Sequence, residues 1–251
     1  MTETTPPGPP APRPRLPARY DALWDAAAPE VGAGRTTLDP WAARQADDAR
    51  RGVTLLVRLA RLAPAAADAI VAFCDELRAL EPAAYYQPRP DLHLTVLSLV
   101  TATADHAPHL AHLGAYREAV TEALDGVGPF AVDLAGVTLS PAAVLVQGYP
   151  RDGTLERVRA RLRAAVTARR LGDALDRRYR LETAHATVVR FTAPLDDPAR
   201  FVGALAAARS RPFGTAVVTE LELGVGNWYE AEAYARPVAT YPLAGGPRPS
   251  A

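Results

Sequence analysis

Two tetrapeptides in this chain carry the residues best suited to chemistry, His93-Leu94-Thr95-Val96 and His185-Ala186-Thr187-Val188. Each lies in an apolar, β-branched run that reads as a strand, Leu92 to Val100 and Tyr179 to Thr192. Side chains alternate faces along a strand, so a His and a Thr two residues apart project from the same face. Each segment therefore presents an imidazole beside a hydroxyl. Two such pairs brought together would make a phosphate site, with two groups that pass protons near neutral pH and two hydroxyls to hold oxygens.

The elements needed to position these pairs occur twice. A strand (Val53 to Leu59) and a helix (Pro64 to Leu80) precede the first motif; a strand (Ala143 to Tyr149) and a helix (Asp152 to Leu171) precede the second. Val53 stands 40 residues before His93, and Val144 stands 41 before His185. Helical stretches follow each motif, Leu110 to Leu124 and Pro198 to Arg209. A Pro-Phe pair then opens another strand in each half: Pro129-Phe130 into Ala131 to Leu139, and Pro212-Phe213 into Ala216 to Val225. A closing strand runs from Tyr234 to Leu243. Two divergent copies of one unit, each with the same polar pair, argue against a chance motif.

Composition sets the remaining bounds. The 251 residues suffice for one bilobed domain, assigned here to residues 51–243. No apolar run approaches the ~20 residues of a membrane span, and no charged-then-apolar leader opens the chain. A cytoplasmic monomer is the expectation. The 28 basic residues are all Arg and are balanced by 28 acidic ones. Lysine chemistry is therefore excluded, and neutrality argues against coating long nucleic acid. Residues 1–19 are Pro-rich and read as a disordered tail, residues 20–50 as an extension packed outside the domain with Trp24 and Trp41 as anchors, and residues 244–251 as a second tail.

Several features have a plain reading beside a functional one. Cys74 sits in an apolar helical stripe and reads as a buried, inert thiol. Tyr85 and Tyr86, in the loop before the first motif, either stack on a base or cover the core; Tyr86 is kept as a candidate substrate contact, as is Trp228 at a hairpin end. His106, His109 and His112 are spaced by three, but without a placed carboxylate or Cys they read as a solvated helix start rather than a metal site. The Arg-rich helix from Leu155 to Leu171 reads as a solvated face or a basic rim for RNA phosphates.

Taken together, the paired His-x-Thr-x strands, 92 residues apart, resemble the two-histidine phosphoesterase superfamily, which includes the 2′-5′ RNA ligases and cyclic phosphodiesterases. Arg190, five residues after His185, resembles the H-x-T-x-x-R variant of the RNA-ligase-like branch. The resemblance implies an α+β fold of two pseudo-symmetric lobes, each an antiparallel sheet with outer helices, around a groove carrying both motifs. It implies His93 as general acid, His185 as general base, and Thr95 and Thr187 on the phosphate oxygens. The implied substrates are RNA ends or small cyclic nucleotides and phosphodiesters, with no metal and no cofactor. Strict strand alternation puts Arg190 on the face opposite His185, so it reaches phosphate only across a twist or bulge; otherwise it makes a salt bridge to the outer layer. The alternative from another class is a non-catalytic RNA- or nucleotide-binding module of the same fold, and a structural repeat with two buried histidines is a third.

Overall fold

The computed structural model describes residues 16–175 and 180–244. In chain order the elements are α1 (Leu16–Gly32), β1 (Arg51–Arg58), α2 (Leu59–Leu62), α3 (Pro64–Arg78), β2 (Tyr85–Tyr86), β3 (His93–Thr103), α4 (Ala107–Leu110), α5 (Leu113–Leu124) and β4 (Phe130–Ser140). They continue as β5 (Ala143–Pro150), α6 (Thr154–Ala168), β6 (Ala184–Arg190), α7 (Pro198–Ala207), β7 (Pro212–Val218), β8 (Glu220–Gly226) and β9 (Arg236–Pro242).

The strands form two sheets, ordered β3-β1-β8-β9 and β2-β6-β5-β4-β7, antiparallel at every pairing. Each motif strand lies beside the first strand of its own repeat: Arg58 pairs with His93, and Gln147 with His185. The third strands behave differently. β4 leaves the first repeat and pairs with β5 of the second. The stretch Ala216 to Val225, expected as one strand, is divided between two: β7 adds to β4, while β8 crosses over to pair with β1. Their burial explains the division. β7 is an edge strand, and exposed and buried residues alternate along its first half; β8 lies between β1 and β9 and is buried nearly throughout. The lobes are therefore interlocked rather than merely side by side.

Apolar residues of both sheets and of the covering helices belong to one continuous core. On α3 the residues Ala67, Ile70, Cys74 and Leu77 are buried at helical spacing. Cys74 is 2% exposed, and desolvation pushes its thiol up to about 12, so it is inert. Among the described residues no helix is long and apolar enough to cross a membrane.

The N-terminal segment departs from expectation. A helix begins at Leu16, inside the stretch assigned to the tail; residues 1–15 and 245–251 lie outside the described residues. α1 packs against the second sheet and is fastened to it by hydrogen bonds. The Tyr20 hydroxyl donates to the Ala184 carbonyl at 2.6 Å and accepts the Gly148 N–H at 3.2 Å. Thr138 Oγ1 donates to the Tyr20 carbonyl at 2.9 Å. Trp24 packs on the core under Arg209, as an anchor should, whereas Trp41 is exposed.

Candidate active site

The His-Thr pairs lie as alternation requires: His93, Thr95, His185 and Thr187 all line one cavity of about 140 Å³ between the lobes. Beyond each Thr the strand slips. On β3 the pairing skips Val96 and then Leu99, since Leu55 faces Leu97 while Leu56 faces Thr95, and Val53 faces Val100 while Thr54 faces Ser98. On β6 it skips Val188. Each extra residue reverses the phase of alternation. Ser98 and Thr101 thereby join His93 and Thr95 at the cavity, and Arg190 joins His185 and Thr187. Ser98 thus follows His93 as Arg190 follows His185. That equivalence of position was open to a reading of the sequence alone, had the bulge been assumed in both copies.

Arg190 is held from behind. Asp39 of the N-terminal segment lies 3.6 Å from its guanidinium, which sits over the rings of Trp228 and Tyr229 at 5.9 and 5.2 Å. Trp228 lines the cavity. Tyr86 does not. β2 pairs Tyr86 with Val189 and Tyr85 with Arg190, so the two tyrosines face opposite sides. Tyr86 points into the core, 6% exposed, with its hydroxyl donating to the Glu81 carbonyl at 2.9 Å. It is withdrawn as a substrate contact.

The Arg-rich stretch has the solvated outer face expected of it, with Arg157, Arg161 and Arg170 exposed, but Arg159 departs from it. Arg159 is buried beneath both motif strands; its guanidinium donates to the carbonyls of Val96 at 2.8 Å, Thr95 at 3.1 Å and Thr183 at 2.8 Å. Arg161 reaches the carbonyls of Asp125 and Glu122, and Arg163 that of Leu181. A signal for Arg159 existed in the sequence, because it falls within the stripe Leu155, Val158, Leu162, Val166 and not opposite it.

The two histidines are oriented differently. His93 Nδ1 lies 2.7 Å from the Asp91 carbonyl, which only accepts, so Nδ1 carries the proton and Nε2 is the exchanging atom. His185 Nδ1 meets the Thr183 hydroxyl at 2.8 Å, a partner able to donate or accept. Desolvation pulls both rings down to about 4; Arg58 and Arg190 add to the effect at His93, and Arg159, His93 and Arg190 at His185. Glu230, also lining the cavity, shifts the other way. Burial raises its carboxyl to about 7, and Oε2 has no hydrogen-bond partner among the described residues. A Cβ on Gly226 would stand 2.3 Å from that oxygen, so a side chain there would displace the carboxyl.

These shifts set a pH dependence of stability. Both histidines are lowered, so their contribution is full above ~6.5 and is lost as pH falls toward about 4. Glu230 is raised, so its contribution is full below its ordinary value of 4.5 and is lost as pH rises through about 7. Stability should peak near pH 6.5. In Glu230→Gln the descending limb should vanish, and the stability of the variant relative to wild type should grow by ~3 kcal/mol between pH 5 and 8. Urea unfolding across that range measures it; a constant difference would mean Glu230 titrates normally.

Among the described residues no three His, Cys, Asp or Glu side chains cluster as a metal site requires. His106, His109 and His112 lie around the short α4, half-buried or exposed.

No family model and no curated protein matches the chain. Solved structures do. ATU0111, a conserved protein of unknown function from Agrobacterium tumefaciens, aligns with a TM-score of 0.51 at 13% identity, over 84% of this chain and 96% of that one. E. coli LigT complexed with 3′-AMP aligns over 78% of this chain and 98% of its own at 18% identity, with a TM-score of 0.47. TT0787 of Thermus thermophilus covers 78% and 98% at 19% identity, with a TM-score of 0.48. The match to ATU0111 is one of fold across nearly the whole of that protein. The α+β architecture of two antiparallel sheets with outer helices is the one the paired His-x-Thr strands implied.

Proposed function

We propose that the protein is a metal-independent phosphodiesterase acting on 2′,3′-cyclic phosphates or 2′-5′ linkages at RNA or nucleotide ends, as a cytoplasmic monomer. One observation carries the reading: two His-Thr pairs and Arg190, drawn from both halves of the chain, line a single cavity with room for one phosphate group.

In the hydrolytic direction water attacks phosphorus in line and gives its proton to His185. The bond to one ribose oxygen breaks, and that oxygen takes a proton from His93 Nε2. Solvent returns both rings to their starting states. The partners at Nδ1 support this division of labour. The Asp91 carbonyl, which only accepts, favours a charged His93, whereas His185 has the Thr183 hydroxyl at the same atom. A bound phosphodiester supplies the negative charge that brings His93 back toward protonation. Thr95, Thr187 and Arg190 hold the non-bridging oxygens as charge develops on them.

The competing reading, a nucleotide-binding module of the same fold, draws on the same depressed histidines, since without an anion neither ring carries a proton at neutral pH. A panel of 2′,3′-cyclic mononucleotides, run in excess chelator with the product isomer identified, decides between them. Full turnover with chelator is expected. Activity lost on chelation and restored by one specific metal would overturn metal independence. Tight binding with no turnover across the panel would leave the binding module.

A further inference from the structure

A second, larger cavity of about 860 Å³ adjoins the histidine cavity and shares His185, Thr187, Arg190 and Trp228 with it. Its outer wall comes from the N-terminal segment. Leu23 of α1, then Leu38, Pro40 and Trp41, complete a lining that includes Ala143 and Leu145 of β5. Leu38 and Trp41 are 42% and 37% exposed, two of the few large apolar side chains so placed. The wall is bolted to the site. Tyr229 donates its hydroxyl to Asp39 Oδ1 at 2.7 Å, Asn227 Nδ2 donates to Gln45 Oε1 at 3.0 Å, and the Asp39 N–H reaches the Phe191 carbonyl at 2.7 Å. Four arginines border the groove: Arg19 is matched by Glu182, Arg50 by Asp48 and Arg190 by Asp39, while Arg180 is exposed at the rim.

Resting on the phosphoesterase reading, we propose that this groove seats the organic half of the substrate, and that it takes a large, uncharged, aromatic or mostly apolar substituent rather than a continuing nucleic-acid strand. The volume falls in the range of ~300–1,000 Å³ typical of small-molecule sites. Continuity with the histidine cavity places a phosphate ester's substituent there once its phosphorus lies between the two rings. A strand running through the groove would bring one negative charge per nucleotide and needs cations to replace its counterions. Three of the four at hand are already matched, and Arg180 alone cannot follow a strand. Indole and aliphatic walls instead favour a planar or apolar group.

The probes are 2′,3′-cyclic AMP, glycerol 1,2-cyclic phosphate, and a short oligonucleotide ending in a 2′,3′-cyclic phosphate. Wild type should prefer cyclic AMP to the glycerol ester in kcat/KM by on the order of 10²-fold, and gain nothing from the longer strand. In Trp41→Ala and Leu38→Asp, at exposed positions whose folding is checked by thermal unfolding, that preference should fall at least roughly tenfold, chiefly through KM. Calorimetry should give the same fall in affinity for adenosine 2′-monophosphate relative to inorganic phosphate. An unchanged preference overturns the inference, as does an oligonucleotide favoured over cyclic AMP with a steep salt dependence. If wild type turns over none of the three, the phosphoesterase reading fails; the binding ratio still decides the groove.

Discussion

Alanine at His93 or at His185 is expected to abolish most turnover of a 2′,3′-cyclic phosphate, by ~10²–10⁴-fold each. The double variant should be scarcely slower than either single one. Acid and base act in one displacement, so removing either disables the step and the losses do not add. Thr95→Val and Thr187→Val remove one hydrogen bond each to a charged group and should cost about 1.5–3 kcal/mol of transition-state stabilisation. Affinity for unreacted substrate should survive the histidine changes within roughly tenfold, because only interactions stronger in the transition state set the rate. Steady-state kinetics with a direct binding measurement check all four. Additive histidine losses would mean that the two rings serve separate steps.

Arg159→Met should be the most destabilising single change near the site. The variant keeps most of the stem but leaves the carbonyls of Thr95, Val96 and Thr183 without their donor. An unsatisfied buried acceptor costs ~1–3 kcal/mol, so a total loss of at least about 3 kcal/mol is expected in urea unfolding. Arg159→Lys should not restore it, since a single ammonium cannot reproduce a planar fork that spans two strands. The histidine reports the same change: with the cation gone, the His185 ring should titrate at higher pH, which NMR can follow. Stability within about 1 kcal/mol of wild type would mean that water replaces the guanidinium at little cost.

The site was legible where it rests on short-range rules. Alternation alone put each Thr beside its His, and the matched spacing of the repeats identified the strands and helices around them. Arg190 was legible only as a conditional, because a bulge is set by pairing with a neighbouring strand and leaves no local mark at Val188. Tyr86 was misread for a similar reason: its face depends on which strand β2 joins. Glu230 carries no signal in the sequence, and only the folded chain buries it beside Gly226. The N-terminal segment was underestimated because its contacts with Gly148, Ala184 and Tyr229 are more than a hundred residues away along the chain. Helical spacing of Tyr20 and Trp24 could suggest the element but not its destination.

The crossing of β4 into the second sheet, and of β8 into the first, bears on how such a protein could arise. A lone repeat folded in this way holds only the strands equivalent to β1 and β3, and its third strand has no sheet of its own to join. Two identical copies can complete each other, each lending that strand to its neighbour. The present chain has the connectivity of such a domain-swapped pair after fusion into one polypeptide. Cutting it between β4 and β5 should therefore yield halves that are insoluble apart and reassemble when expressed together.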